Sequence, residues 1–397
     1  MKRIKAFALV LAMLLIITGC SPGEEQIVVS GQNEEIGTTV SNDGSSYLND
    51  TKEWEQEYQS TSITENQPVQ GDSNFILPEN STFEVHYIDV GQGDSSLILC
   101  DGEAMLIDGG EADQSSKIYA YLENQGVDYL DYIVATHAHS DHIGGLSGAL
   151  NYALVGTALC PVTSYDSKTF NSFEKYLGKQ GVTITVPEPG DTFNLGSALV
   201  EIMGPQRNYD DPNNTSIVQK ITYGATSFLF TGDAERTAEA DILDVGYDLS
   251  ATVLKVGHHG SDSSTSYPFL REIMPDYAVI QVGKGNSYGH PAEDTLSRLR
   301  DAGVKVYRND LQGTIICTSD GTAVSFSTER NESIETNPTV PASTAAPETG
   351  GYIGNINTHK FHLPTCGSLP AEKNRVFFDT RQEAVDAGYD PCGNCNP

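Results

Sequence analysis

Four side chains able to hold a metal ion fall within six residues in the stretch Thr136-His137-Ala138-His139-Ser140-Asp141-His142-Ile143-Gly144-Gly145. An apolar run, Tyr132-Ile133-Val134-Ala135, precedes it and predicts a buried strand. Side chains two apart in an extended segment point the same way, so His137 and His139 can close on one ion with Asp141 beside them. His142 has to point elsewhere unless the chain turns, and Gly144-Gly145 supplies the freedom for a turn. The spacing predicts two adjacent sites, His137/His139 and Asp141/His142. Imidazole and carboxylate donors suit zinc, manganese or iron. The competing reading is a polar loop with coincidental histidines. Three of the nine histidines of the chain in one short stretch weigh against it.

The pattern His-x-His-x-Asp-His resembles the signature of the metallo-β-lactamase fold superfamily. That resemblance implies an αββα sandwich of the α/β class and says little about substrate. The surrounding sequence agrees with layered α/β structure. Phe83 to Val90, Ser95 to Cys100 and Ala104 to Ile107 read as short strands, and Ser115 to Gln125 reads as a helix. Strands and helices alternate to about residue 327. Three later turns follow apolar strands and carry more candidate groups. They are Thr231-Gly232-Asp233, then His258-His259-Gly260-Ser261, then Gly289-His290-Pro291, which precedes a helix from Glu293 to Ala302.

Composition divides the rest of the 397-residue chain. Residues 1–20 read as a secretory signal: Lys2, Arg3 and Lys5 are followed by an apolar core from Ala6 to Ile17 and by Thr18-Gly19-Cys20. Ile17-Thr18-Gly19-Cys20 resembles a bacterial lipobox, which implies lipidation at Cys20 and a stable diacyl anchor on the outer side of the cytoplasmic membrane. Residues 21–82 are acidic and polar, too poor in apolar groups to fold, and read as a stalk. Residues 83–327 form the large domain, 328–351 a linker and 352–397 a small terminal module. Of the seven cysteines, Cys20 is accounted for by the lipid and Cys366, Cys392 and Cys395 cluster near the C-terminus. Cys100, Cys160 and Cys317 sit in apolar or turn contexts and read as buried free thiols.

Six segments together resemble the extracellular hydrolase domain of ComEC-type DNA-uptake proteins. They are Asp89-Val90-Gly91-Gln92-Gly93-Asp94, the His137 to His142 cluster, Asn213-Asn214-Thr215-Ser216, Thr231-Gly232-Asp233, His258-His259-Gly260-Ser261 and Tyr288-Gly289-His290-Pro291. The resemblance implies that His137 and His139 bind one divalent ion, zinc or manganese. It implies that Asp141, His142 and His258 bind a second, and that Asp233 bridges the two. Asp108 orients these ligands from behind, His259 supports or packs, and His290 hydrogen-bonds substrate or caps a helix. Asp141, His142, Asp233 and His290 are the catalytic candidates. Many superfamily members have a third histidine on the first metal, but no histidine lies between His142 and His258. Asn213 or Asn214 can offer an amide oxygen there, or Asp211 a carboxylate. Such harder donors favour manganese or magnesium over zinc.

A two-metal site activates hydroxide at neutral pH and offsets charge on an attacked phosphoryl or carbonyl group. The ComEC resemblance implies phosphodiester hydrolysis, hence a surface nuclease or phosphodiesterase acting on nucleic acid. Hydrolysis of a small ester or lactam uses the same fold. A non-catalytic DNA-capture lipoprotein is the third reading. The net charge of -31, most of its excess within the large domain, weighs against strong sequence-independent DNA binding. No obligate protein partner is implied.

In the terminal module, Phe361-His362-Leu363-Pro364-Thr365-Cys366 and Pro391-Cys392-Gly393-Asn394-Cys395 supply a Cys₃His set, which meets the four-ligand requirement of structural zinc. A module this small needs such a staple. A disulfide among Cys366, Cys392 and Cys395 is the alternative. The segment resembles the metal-binding domain of the Ada DNA-repair protein. His362 stands where Ada has its methyl-accepting cysteine, so the resemblance implies a zinc-stapled fold, with or without a DNA contact, and not repair.

Overall fold

In the computed structural model, residues 77–338, 351–395 and 397 are described. The expected signal, Cys20 and most of the stalk lie outside them, as do residues 339–350 of the expected linker. The chain runs through strands β1 (Phe83–Tyr87), β2 (Ser96–Cys100) and β3 (Glu103–Ile107), helix α1 (Ser115–Gln125) and strand β4 (Tyr129–Val134). Helices α2 (Ser140–Ile143) and α3 (Leu146–Tyr152), strand β5 (Leu154–Leu159), helix α4 (Lys168–Gln180) and strand β6 (Ile184–Thr185) complete the first half. The second half holds β7 (Thr192–Leu195), β8 (Ala198–Gly204), β9 (Val218–Tyr223), β10 (Thr226–Phe230), α5 (Arg236–Val245), β11 (Val253–Lys255), α6 (Tyr267–Ile273) and β12 (Tyr277–Ile280). It closes with α7 (Glu293–Asp301), β13 (Lys305–Arg308), α8 (Asn309–Gln312), β14 (Ile315–Ser319) and β15 (Val324–Thr328).

Two sheets result, one ordered β15-β14-β1-β2-β3-β4-β5-β6 and the other β13-β12-β11-β10-β9-β8-β7. Alternation along the strands decides which face each residue covers. Phe83, Val85 and Tyr87 of β1 and Ile98 of β2 point between the sheets, where they meet Ile221, Tyr223, Phe228 and Phe230. Leu97 of β2 and Leu106 of β3 point the other way, onto Ile118 and Leu122 of α1 and Phe170 and Phe173 of α4. On the far side, Leu229 and Leu254 meet Ile242 of α5 and Phe269 of α6. The layers are therefore helix, sheet, sheet, helix, as expected for the αββα sandwich. The Phe83 and Phe228 rings lie 4.9 Å apart. Full burial of each stabilises the sandwich by roughly 1.5–3 kcal/mol.

Two expected boundaries move. Leu77 already packs on the inter-sheet core, and Tyr223 Oη donates to Ser81 Oγ at 2.8 Å, so the fold begins before Phe83. At the other end the expected linker remains on the domain as far as Pro338. Arg330 Nη2 reaches Asp89 Oδ2 at 3.1 Å, and Asn337 Nδ2 donates to Leu296 O at 3.0 Å. Asp89 also accepts from Gly91 N at 3.2 Å, so it serves the turn.

The terminal module is a four-stranded sheet with one short helix. Its strands are β16 (Tyr352–Asn355), β17 (Lys360–His362), β18 (Arg375–Phe378) and β19 (Asp390–Pro391), and its helix is α9 (Arg381–Asp386). Their order is β18-β16-β17-β19. Phe361, Phe378, Ala384, Val385 and Tyr389 form its small core, and Tyr267 of α6 completes it. The module and the sandwich thus belong to one compact unit, Asp72–Pro397. Among the described residues, no helix is long and apolar enough to cross a membrane.

Candidate metal centre

The loops after β4, β10 and β11 converge at one end of the sandwich. The C-terminal end of β4, Ile133 and Val134, is apolar and buried on both faces, and the metal-binding residues begin just beyond it. His139 is extended, with φ -71° and ψ 153°, and it opens α2, whose first turn presents Asp141 and His142. Asp233 follows Gly232, which has φ +51° and no room for a Cβ beside Ser216 and Thr136. His258 and His259 both adopt left-handed backbone, with φ +48° and +53°. Strained backbone of this kind is retained where the surrounding structure fixes it, commonly at functional sites.

Asp141, His142, Asp233 and His259 bring one donor atom each to within 4.8 Å of one another. His142 Nε2 lies 3.2 Å and His259 Nε2 3.6 Å from Asp233 Oδ2, and His259 Nε2 lies 3.2 Å from Asp141 Oδ2. His137 and His139 stand beside this group. Their Nε2 and Nδ1 are 3.1 Å apart, and His137 Nε2 is 3.9 Å from Asp233 Oδ2.

Supporting groups fix the rings. Asp108 Oδ2 meets His142 Nδ1 at 2.8 Å and also accepts from Thr136 Oγ1 at 2.7 Å, while its Oδ1 accepts from Thr136 N at 2.8 Å. This contact turns His142 Nε2 toward the cluster. His259 Nδ1 faces Gln281 O at 3.0 Å and Asp94 Oδ1 at 3.1 Å. Asp94 is buried and ion-paired to the equally buried Lys255.

The resemblance implies His258 as the ligand and His259 as support; in the structure it is His259 that joins the four-donor group, while both Nε2 atoms lie 3.6 Å from Asp233 Oδ2. His259 is buried and its Nε2 enters the tetrad, whereas His258 is partly exposed, with Nδ1 turned to Glu235 Oε1 at 3.2 Å and Nε2 3.6 Å from Asp233 Oδ2. Asn214 is also corrected: its Oδ1 accepts from Glu235 N at 3.1 Å and Ala238 N at 3.2 Å, capping α5, and is no longer available to a metal. Asp211 Oδ1 is likewise taken, by Asn213 N at 3.0 Å. Asn213 lines the cavity over the cluster, and its Oδ1 is buried without a partner. His290 does not cap α7, whose N-cap is Ala292; it stands on the cavity rim, stacked on Tyr288 at 5.8 Å. The sequence reading missed Lys255 and the Asp94 carboxylate's contact with His259. Asp94 lay within a quoted segment, but nothing local to Lys255 marks it as anything other than one residue of a buried strand.

Charge balance follows from burial. Burial raises the Asp233 carboxyl, but His142 and then His259 outweigh it and hold the group well below the ordinary range. Burial opposes protonation of His259, yet Asp233 and then Asp94 carry it up to about 10. His137, where burial leads, is held well below the ordinary imidazole range. Burial, then His258, brings His290 down to about 4.

The donor set fits divalent cations. His142 Nε2 and Asp233 Oδ1 are buried without a hydrogen-bond partner, as ligand atoms facing a cation would be. A cavity of about 270 Å³ opens over them, walled by Gln92, Glu111, Asn213, Tyr288 and His290. Larger cavities of about 780 and 450 Å³ lie elsewhere and have no His or Cys in their described lining.

The terminal module has its own tetrad. His362, Cys366, Cys392 and Cys395 bring donors to within 4.8 Å of one another. The three thiols are free, and Leu363 N donates to Cys395 Sγ at 3.4 Å. The Cys395 thiol beside it brings Cys392 down to about 4, which favours the thiolate that metals bind. A Cys₃His set suits zinc.

Comparison with known proteins agrees with this geometry. Residues 88–284 match the metallo-beta-lactamase superfamily, and residues 342–397 match the metal binding domain of Ada. ComE operon protein 3 of Bacillus subtilis is 31% identical over 61% of this chain and 34% of its own length. Competence protein ComA of Neisseria gonorrhoeae is 31% identical over 60% of this chain and 32% of its own. Recombination protein 2 of Haemophilus influenzae is 27% identical over 63% and 30%. The chain spans about a third of the length of these relatives. It joins a segment that matches the metallo-beta-lactamase superfamily, and is similar to competence proteins, to a segment that matches the metal binding domain of Ada.

Proposed function

We propose that the chain is a metal-dependent phosphodiesterase acting on nucleic acid at the cell surface, held to the membrane by a lipid on Cys20. The observation that carries the reading is the buried convergence of Asp141, His142, Asp233 and His259 beside His137 and His139, on the floor of an open cavity. The relation to competence proteins supports nucleic acid as the substrate class.

His137 and His139 would hold one divalent ion, and Asp141, His142 and His259 another, with Asp233 shared. Zinc or manganese bound there supplies the Lewis acidity that makes water a nucleophile at neutral pH and offsets phosphoryl charge. Asp108 and Asp94 keep the ligand rings oriented. His290, held neutral by its burial at pH 7, lines the cavity and can exchange a hydrogen bond with substrate. Tyr288, 70% exposed beside it, offers a ring on which an unpaired base can stack. No Lys or Arg lines the described cavity, so bound metals and stacking would hold substrate more than basic side chains do.

The test is to incubate the purified chain with single- and double-stranded DNA, RNA and nitrocefin, with Mn²⁺ or Zn²⁺. Cleavage of nucleic acid is expected; Asp141→Ala should abolish it while the fold stays intact, and EDTA should abolish it as well. Cleavage that survives both would refute the site, and nitrocefin turnover alone would favour the lactam reading.

A further inference from the structure

The terminal module meets the sandwich through a buried ion cluster. Asp390 and Arg298 are both fully buried, with Arg298 Nη1 2.9 Å from Asp390 Oδ2 though off the hydrogen-bond line, and Arg236 is also ion-paired to Asp390. Asp390 lies two residues before the metal-site residue Cys392, and its N donates to His359 O at 2.7 Å.

From the two arginines the contacts run into the loop that follows His258 and His259. Arg298 Nη2 donates to Ser264 O at 2.8 Å, and Arg236 Nη2 donates to Asp262 O at 3.0 Å. Arg236 N donates to Ser263 O at 3.1 Å. Ser263 Oγ in turn donates to Glu235 Oε1 at 2.8 Å and lies 3.4 Å from His258 Nδ1, while Glu235 faces the same His258 nitrogen at 3.2 Å. Thr295 Oγ1, which also accepts from Arg298, donates to Ser261 O at 2.7 Å.

We propose that Asp390 is a positioning residue for the metal centre, and that the terminal module is a built-in support of that centre. Docking alone does not need a buried carboxylate. Tyr267 supplies an apolar contact, and Arg271 with Asp386 and Arg381 with Asp301 supply ion pairs at the margin. Two guanidinium groups that lose a buried counter-charge have to move toward water, and the carbonyls of 262 and 264 they hold move with them. Loop 261–264 then releases Glu235 and His258, one residue from His259. Occupancy of the Cys₃His set by zinc fixes the β19 end that presents Asp390, so metal in the small module and geometry in the large one are linked.

The test uses the full metal-loaded chain with Asp390→Asn, which keeps shape and removes charge. Amide hydrogen exchange across 258–266 should rise about tenfold while β1–β3 stay protected. In the same variant kcat should fall on the order of ten- to a hundredfold, as displaced catalytic groups do, with KM little changed. Arg271→Met, which removes only the exposed pair with Asp386 across the same interface, should leave both readouts at wild-type values. Exchange needs no substrate, so failure of the phosphodiesterase reading leaves this test standing. If Asp390→Asn does not fold, Cys392→Ser replaces it and must show the same rise in exchange at 258–266. Wild-type exchange in that segment, or an equal effect of Arg271→Met, overturns the proposal.

Discussion

Replacing Lys255 with Met isolates what the buried pair behind the ligands contributes. Lys255 ends β11 and reaches Asp94, both nearly inaccessible to solvent. In the intact protein burial raises the Asp94 carboxyl, but Lys255, then His259, override it and hold the group below its ordinary value. A folded-state pKa that is depressed adds stability above the unfolded value, and that contribution is lost as pH falls. Without Lys255 the carboxylate keeps only His259 at 3.1 Å and His142 at 3.9 Å, so burial pushes it up. Stability is then lost at neutral pH and partly recovered in acid, where Asp94 takes up a proton. Removing one partner of a buried ion pair costs about 3–5 kcal/mol. The double variant Asp94→Leu/Lys255→Met leaves no orphan charge and should recover much of that cost, lying closer to the wild-type chain than either single change, far from additivity. Urea unfolding of the metal-free chain at pH 5 and pH 8 measures this. A cost below about 1 kcal/mol, a cost independent of pH, or strict additivity would show that the pair does not carry the charge balance argued here.

Two further outcomes follow from other parts of the chain. Cys20→Ser should release the protein from the membrane into the medium, because the expected diacyl anchor is lost; retention of that variant on membranes counts against lipidation. The full chain should carry one zinc in its terminal module, lost in Cys366→Ser, with three unoxidised thiols at Cys366, Cys392 and Cys395; a disulfide found there by mass would overturn the site.

Layered α/β structure could be read from sequence because its cues are local, and the αββα sandwich came from the resemblance carried by the His137 to His142 spacing. Tyr132–Ala135 is apolar where β4 is buried on both faces, and the ligand spacing depends only on side-chain alternation and one turn. The helix from Ser115 to Gln125 was legible to the residue, ending at Gly126 in left-handed backbone. The choice between His258 and His259 was not legible. Both occupy left-handed positions, and which ring faces inward depends on Gln281 and Asp94, which are remote in sequence. Asn214 failed for the same reason: the N–H groups it caps belong to residues Glu235 and Ala238. Docking of the terminal module was hidden because Asp390 and Arg298 read as ordinary surface charges until the fold buries them.

The missing third histidine gives the last prediction, and the structure moves it by one residue. With Asn214 occupied by the α5 N-terminus and Asp211 by a turn, Asn213 is the amide whose oxygen is buried and unpartnered at the cavity wall. Ser216 Oγ and Thr136 Oγ1, at 3.4 and 3.2 Å from His137 Nδ1, are already engaged, the first accepting from Asp233 N at 3.0 Å and the second donating to Asp108 Oδ2 at 2.7 Å. The ion on His137 and His139 would therefore complete its shell with oxygen donors, which are harder than imidazole and shift preference from zinc toward manganese. Mn²⁺ should activate the wild-type chain better than Zn²⁺, and the His137/His139 ion should be the more weakly held of the two. Asn213→His should reverse the order by restoring a nitrogen donor. Asn214→His should only destabilise, by about 1 kcal/mol, through the lost helix cap. Metal titration of activity and equilibrium dialysis of the three chains decide it. If the wild-type chain works best with Zn²⁺ and binds two ions with equal, tight affinity, oxygen ligation at the first site is wrong.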